Sequence, residues 1–278
     1  MNHSSLTQDY LADLNITNKT LDMAFINELQ SKHIAQYSFN SLSVVLGQEL
    51  PLDVESLFTK IVQRRRGGYC FEHNKLVFNV LASLNFDVRL LLAKVIYNQE
   101  VEVARTHRVT LLSFAGDDYI VDAGFGHLGA RFPVKIELGL VQHQGDDQWR
   151  IIKNSNEEYC YQVFKDGDFF TLYTFDFHNY TESDCLLSHY YSHKHPNAAF
   201  VNNLVVCRKF SDEIKSLRNA EYHHIKGGVT KTTQVTSIAQ LHQLLTEVYQ
   251  LDIDIAISEF LFHKFVEKSP TKSAAKSA

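Results

Sequence analysis

At Phe86 the apolar pattern of the chain changes period, and that switch limits the folds open to it. Before it, apolar residues recur at helical spacing. Tyr10, Leu11 and Leu14 begin the pattern, Leu21, Phe25 and Leu29 follow at i, i+4, i+8, and Ile26 widens the same face. A second amphipathic stretch runs from Val54 through Leu57 and Phe58 to Ile61 and Val62. A third, from about Cys70 to Leu84, carries Phe71, Leu76, Val77, Val80, Leu81 and Leu84. After Phe86 the segments Val88 to Tyr97, Arg108 to Phe114 and Tyr119 to Val121 are β-branched and aromatic, parted by polar turns such as Ala115-Gly116-Asp117-Asp118. Trp149 to Ile152, Tyr159 to Phe164 and Phe169 to Phe175 extend the run of short strands. Helices first and strands afterwards argue for an α+β class, with the strand-rich middle forming a barrel or a curled sheet. Leu204 to Val206 reads as a later strand. Helix returns over Ile238 to Tyr249, with Leu241, Leu244, Leu245 and Val248 on one face.

With 278 residues, 45% of them hydrophobic, the chain can bury a substantial core. Its net charge of −5 gives no electrostatic reason to expect nucleic acid or an anionic membrane as a partner. No apolar run approaches the ~20 residues a membrane span needs, and the first residues show no basic stretch leading into an apolar one. The expectation is a cytoplasmic protein. Four cysteines, Cys70, Cys160, Cys185 and Cys207, include no C-x-x-C pair and suit reduced thiols better than a disulfide framework. Each is then either core filling or chemistry.

Cys70 stands out by position. It follows Gly67-Gly68-Tyr69 and opens a helix, where free backbone N–H groups and the helix dipole favour a thiolate and where the thiol is expected to be exposed. Free cysteine is also among the most buried residue types, so position alone leaves both readings open. A thiolate nucleophile needs a base held by a third group. His107 opens one strand and Asp122 closes the next. A turn centred near residue 116 places Asp122 opposite roughly Val109 to Leu111, on the face that His107 shares. The blander readings are a polar residue at a strand start and an aspartate satisfying a turn. His73, one turn beyond Cys70, is a rival base without an evident orienting acid. Cys185, His189 and His193 fall at metal-ligand spacing on a helix, but with no compact four-ligand set the expectation is a polar exposed face. Arg64-Arg65-Arg66 reads as a solvated helix end, with Arg66 a candidate structural residue.

Arg66-Gly67-Gly68-Tyr69-Cys70-Phe71-Glu72, Thr106-His107-Arg108 and Val121-Asp122-Ala123-Gly124-Phe125-Gly126 resemble the three signature segments of the arylamine N-acetyltransferases. His195-Pro196-Asn197-Ala198-Ala199-Phe200 and Asn203-Leu204-Val205-Val206 resemble a later segment, so the likeness runs from about Tyr10 to Phe265, and the length is that of the bacterial members. The resemblance implies Cys70 as nucleophile, His107 as its base and Asp122 as the orienting carboxylate. It implies substrate contacts from Phe125, Gly126, Phe39 and Tyr69. It also implies a helical bundle over 1–85, a β-barrel over 86–190 and an α/β lid over 191–268, built on a cysteine-protease-like core. Residues 269–278, small, polar and basic, are expected to be a disordered tail. The implied co-substrate is acetyl-CoA, without a metal. The implied acceptor is an arylamine or hydrazine, acetylated by a ping-pong route through an acetyl-cysteine. The same triad would also serve a cysteine-dependent amide synthase, a hydrolase or a transglutaminase-like acyl transferase, and a binding or scaffold module is a third class. One departure is local: where the family has Pro-Phe-Glu-Asn-Leu, this chain has Ser38-Phe39-Asn40-Ser41-Leu42. A partner for a buried arginine such as Arg66 is thereby lost.

Overall fold

A computed structural model describes residues 3–18, 20–99 and 101–267; the tail expected at 269–278 lies outside the described residues. The first part is helical, as the 3.6-residue periodicity requires. Helices α1 (His3–Asp13) and α2 (Met23–Gln36) precede a two-residue strand, β1 (Phe39–Asn40), and the short α3 (Leu42–Val45). Helix α4 (Val54–Leu57) continues in wider turns to Gln63, and α5 (Cys70–Ser83) follows. The starts of α2 and α4 are fixed by aspartate side chains. Asp22 accepts the N–H of Phe25 at 2.9 Å, and Asp53 accepts that of Ser56 at 2.9 Å. Tyr10, Leu14, Phe25, Ile26, Leu29, Ile61, Leu76, Val77 and Leu81 form one core, which extends to Leu112 and Val121 on the adjoining sheet.

That sheet has eight strands: β2 (Asp87–Val95), β3 (His107–Phe114), β4 (Asp117–Val121), β5 (Val134–Lys135), β6 (Gln142–Gln144), β7 (Asp147–Lys153), β8 (Tyr159–Lys165) and β9 (Asp168–Phe175). They run in the order β5-β4-β3-β2-β9-β8-β7-β6. Strand β2 pairs with β3 over its first part and with β9 at Lys94 and Val95, so the sheet curls around it. A bridge between Leu138 and Ile151 draws the two ends of the sheet toward each other and nearly closes a barrel. Its interior holds Trp149, Tyr161, Tyr173 and Phe175. The β3–β4 turn is two residues, Ala115 and Gly116, both at positive φ. This matches the twist of the flanking strands and fixes Thr110 opposite Val121.

The last part is a five-stranded antiparallel sheet in the order β1-β10-β11-β12-β13, with β10 (Val205–Lys209), β11 (Glu213–Arg218), β12 (Glu221–Lys226) and β13 (Val229–Gln234). Helices α6 (Glu182–Lys194) and α7 (Ala199–Asn202) precede it; α8 (Ile238–Gln243), which continues in wider turns to Val248, and α9 (Ile255–Leu261) pack behind it through Leu241, Leu245 and Leu261. Of this sheet the sequence pattern showed only β10. Strands β11 to β13 are rich in charged residues and threonine and lie mostly half-buried or exposed, so they carry little apolar alternation. The sheet also takes its edge from the N-terminal part. Phe39 pairs with Cys207 and Asn40 with Val206, while Phe39 bridges to Gly68 on its other side.

Candidate active site

The first turn of α5 is built by glycine and capped by glutamate. Gly67 has φ of +60°, and a Cβ there would meet the Ser38 carbonyl at 2.1 Å. The N–H of Tyr69 donates to Glu72 Oε2 at 3.2 Å, and Lys60 holds Oε1 at 2.6 Å. Cys70 is then the first residue of the helix. Contrary to the sequence expectation it is not exposed but 2% accessible. The reason is the 122–126 loop, which lies over the helix start; a Cβ on Gly124 would stand 2.9 Å from Cys70 Cα.

His107 and Asp122 meet as the hairpin register requires. Nε2 of His107 hydrogen-bonds Oδ2 of Asp122 at 2.7 Å, both residues being buried. The other carboxylate oxygen, Oδ1, accepts from Asn74 Nδ2 at 2.9 Å and from the Gly124 N–H at 3.0 Å. Asn74 in turn accepts the Ala123 N–H at 2.8 Å and donates to the Arg108 carbonyl at 2.5 Å. It ties α5, β3 and the loop together, and sequence reasoning missed it. Its signal was an amide four residues beyond Cys70, on the same face of the helix. Burial pushes the Asp122 carboxyl up, but the facing His107 and the hydrogen bonds from His107, Asn74 and Gly124 outweigh it and hold Asp122 ionised below the usual range. With Nε2 committed to Asp122, Nδ1 is the ring nitrogen left for Cys70.

Cys70 and His107 line one cavity of about 370 Å³. The Cys70 thiol lies 3.8 Å from the Thr106 carbonyl. Burial first, then the negative Asp122, push this thiol well up, against the backbone N–H groups of Phe71 and Cys70 that favour the thiolate. The helix start alone therefore does not make a resting thiolate; a base must take the proton. Of the residues named as substrate contacts, Phe125, Gly126 and Phe39 line the cavity. Phe125 stands edge-on to His107 at 5.2 Å between ring centroids. Tyr69 does not line the cavity: its side chain turns into the interior, where its hydroxyl meets Nδ1 of His189 and its ring packs on Phe200. Tyr97, His127 and Arg218, which the sequence did not single out, complete much of the wall together with Phe200 and Cys207.

The rivals resolve on geometry. His73 points away from the cavity, with Nδ1 on Nε2 of His33 at 2.7 Å and Nε2 facing the Ser38 carbonyl at 3.2 Å. Burial takes it to about 4, a neutral core histidine. Cys185, His189 and His193 do not form the exposed face expected of them but are buried. Among the described residues no group of three or more His, Cys, Asp or Glu could hold a metal ion. Arg65 is fully paired with Asp13, at 2.6 and 2.8 Å. Arg66, without the family's glutamate, donates to the Asp252 carbonyl at 2.8 Å. Asn40 takes the glutamate's place locally, donating to the carbonyls of Ser38 and Arg66. No helix among the described residues is long and apolar enough to cross a membrane.

A family model described as N-acetyltransferase matches residues 22–258. An arylamine N-acetyltransferase of Escherichia coli is 30% identical over 83% of this chain and 83% of its own length. The structure of an arylamine N-acetyltransferase from Salmonella typhimurium superposes with a TM-score of 0.88 at 25% identity, covering 94% of this chain and 99% of the other. That of Mycobacterium marinum in complex with CoA superposes equally well, with a TM-score of 0.88 at 26% identity over 93% and 99%.

Proposed function

The chain belongs to the arylamine N-acetyltransferase family, and from that premise we propose that it moves an acetyl group from acetyl-CoA to the nitrogen of an arylamine or arylhydrazine by way of an acetyl-Cys70 intermediate. The observation that carries this reading is that Cys70 and His107 line one cavity, with His107 locked to a buried, ionised Asp122. His107 takes the Cys70 proton as Sγ attacks the thioester carbonyl carbon. The C–S bond to CoA breaks and CoA departs as the thiol with that proton. The amine then attacks the acetyl carbon, the bond to Cys70 breaks, and the amine's proton returns through His107 to the thiol. Asp122 stabilises the imidazolium formed in each half and fixes its tautomer. Burial that discourages a free thiolate suits this division, because charge then forms only as the proton moves to His107.

Acetyl-CoA without an amine should leave one acetyl group on the protein, mapped to Cys70, and release CoA in equal amount. Label on Cys160, Cys185 or Cys207, or none, would overturn the reading. Acetylation of a simple aromatic amine in a second incubation separates a transferase from a hydrolase.

A further inference from the structure

The cavity that holds Cys70 and His107 has no aspartate or glutamate in its lining; Asp122 is shut behind His107, 2% exposed. One wall is a face of the β10–β11 pair. Cys207 stands opposite Ser216 and Val205 opposite Arg218, and all four line the cavity. Cys207 is at the inner end, where a Cβ on Gly126 would stand 3.6 Å from its Sγ. Arg218 is two residues further out on the same face, about 7 Å along the strand. It is exposed, and its guanidinium has no hydrogen bond or ion pair among the described residues. Glu221, across the next hairpin, is engaged instead with His223, at 3.6 Å.

The neighbouring wall repeats the sign. His127, beside Gly126, is taken to about 4 by burial first and then by Lys209, Lys165, His223 and Arg218, so the charges that act on it most are positive. In a chain of net charge −5, an acid-free cavity with an unpaired guanidinium at its mouth is a local reversal of charge. A planar guanidinium presents a fork of donors that fits phosphate or carboxylate.

We propose that Arg218 anchors an anionic group on a substrate seated in this cavity, either a phosphate of the acyl donor or a carboxylate on the aromatic acceptor. The inference rests on the reaction proposed above and adds a residue that selects its substrates. Arg218→Gln and Arg218→Lys separate the two sources. In the donor arm, acetyl-CoA is compared with the phosphate-free thioester S-acetyl-N-acetylcysteamine, using 4-anisidine as a neutral acceptor. In the acceptor arm, 4-aminobenzoate is compared with 4-aminobenzamide. Calorimetric binding of CoA and of 4-aminobenzoate, which needs no turnover, runs alongside. Arg218→Gln should raise KM and Kd about tenfold for the anionic member of one arm, with kcat nearly kept. The uncharged member should be unaffected, and Arg218→Lys should recover part of the loss. Unchanged constants in both arms, equal losses for charged and uncharged members, or no binding of either anion by the wild-type protein would each overturn the proposal. Binding that depends on Arg218 without acetyl transfer sinks the proposed reaction alone. Transfer without Arg218 dependence sinks this inference alone.

Discussion

Gly124 rests on Cys70: a Cβ added to it would stand 2.9 Å from the Cys70 Cα and 3.0 Å from the Cys70 carbonyl oxygen. Both contacts are backbone, so neither can swing aside. Gly124→Ala must therefore lift the loop, and with it Asp122, away from the helix. Overpacking of this kind costs about 1–3 kcal/mol. We expect a measurable fall in melting temperature and a loss of acetyl transfer of at least ~10-fold, since small misplacements of a catalytic group are costly. Wild-type kinetics in this variant would show that the contact has no bearing on the site.

Asp122→Asn should keep the fold and lose turnover. An amide can still touch Nε2 of His107, but it favours the wrong tautomer and cannot stabilise an imidazolium. The corresponding change in a serine protease triad costs about 10⁴, so a loss of at least ~10² is expected here. The rate of Cys70 alkylation by iodoacetamide should fall with it. Unchanged turnover and unchanged alkylation together would reduce Asp122 to a turn residue.

Phe125 offers an apolar wall beside His107 and Tyr97, with ring centroids 5.2 and 6.0 Å away. Aromatic pairs add ~0.5–1.5 kcal/mol beyond area burial. Phe125→Ser should therefore reorder kcat/KM among flat aromatic amines and hydrazines by several-fold, while acetylation of Cys70 by acetyl-CoA proceeds at a similar rate. Equal losses for all acceptors and for the first half-reaction would point to a damaged site instead.

The protein should be acid-labile well before its carboxylates titrate. Burial takes both His73 and His189 to about 4, and His33 well below its ordinary value. The unfolded chain binds protons on these rings as pH falls through about 6.5, whereas folded His73 and His189 do not until about 4. Stability is thus complete above about 6.5 and is lost as pH falls toward 4, by about 3 kcal/mol each for His73 and His189 over the full span. Urea midpoints at pH 7.5, 6.5 and 5.5 should decrease in that order. His73→Asn should flatten the slope by up to one proton, and an unaltered slope would show that His73 is not among the groups responsible.

Much of the site was legible because a two-residue hairpin turn converts spacing into register. Once Ala115-Gly116 is the turn, Thr110 faces Val121 and the His107–Asp122 pair follows. Cys70 at a helix start was legible for the same local reason, but its burial was not, because the covering loop comes 54 residues later, at Gly124. Helix α6 defeated the pattern outright. Leu187 and Tyr190 point outward, 75% and 65% exposed, while His189 is buried. His189 is inside because the Tyr69 hydroxyl and the Leu50 carbonyl each require a partner there, and its two ring nitrogens supply them. Strands β11 to β13 left little trace because a partly solvated antiparallel layer needs little apolar alternation.

The pairing of Phe39 with Cys207 has a kinetic meaning beyond architecture. It joins residues 168 positions apart, and Phe39 also bridges to Gly68, just before Cys70. Contacts of such long range form late, because the loop they close is costly in entropy until most of the chain is in place. The helical bundle and the curled sheet can each gather around their own cores first, yet the cavity lacks the wall that Val205, Cys207, Ser216 and Arg218 supply until β10 docks on β1. Recovery of acetyl transfer during refolding should therefore lag behind the return of helical signal, so that the chemistry itself acts as a clock for the last long-range closure of the chain.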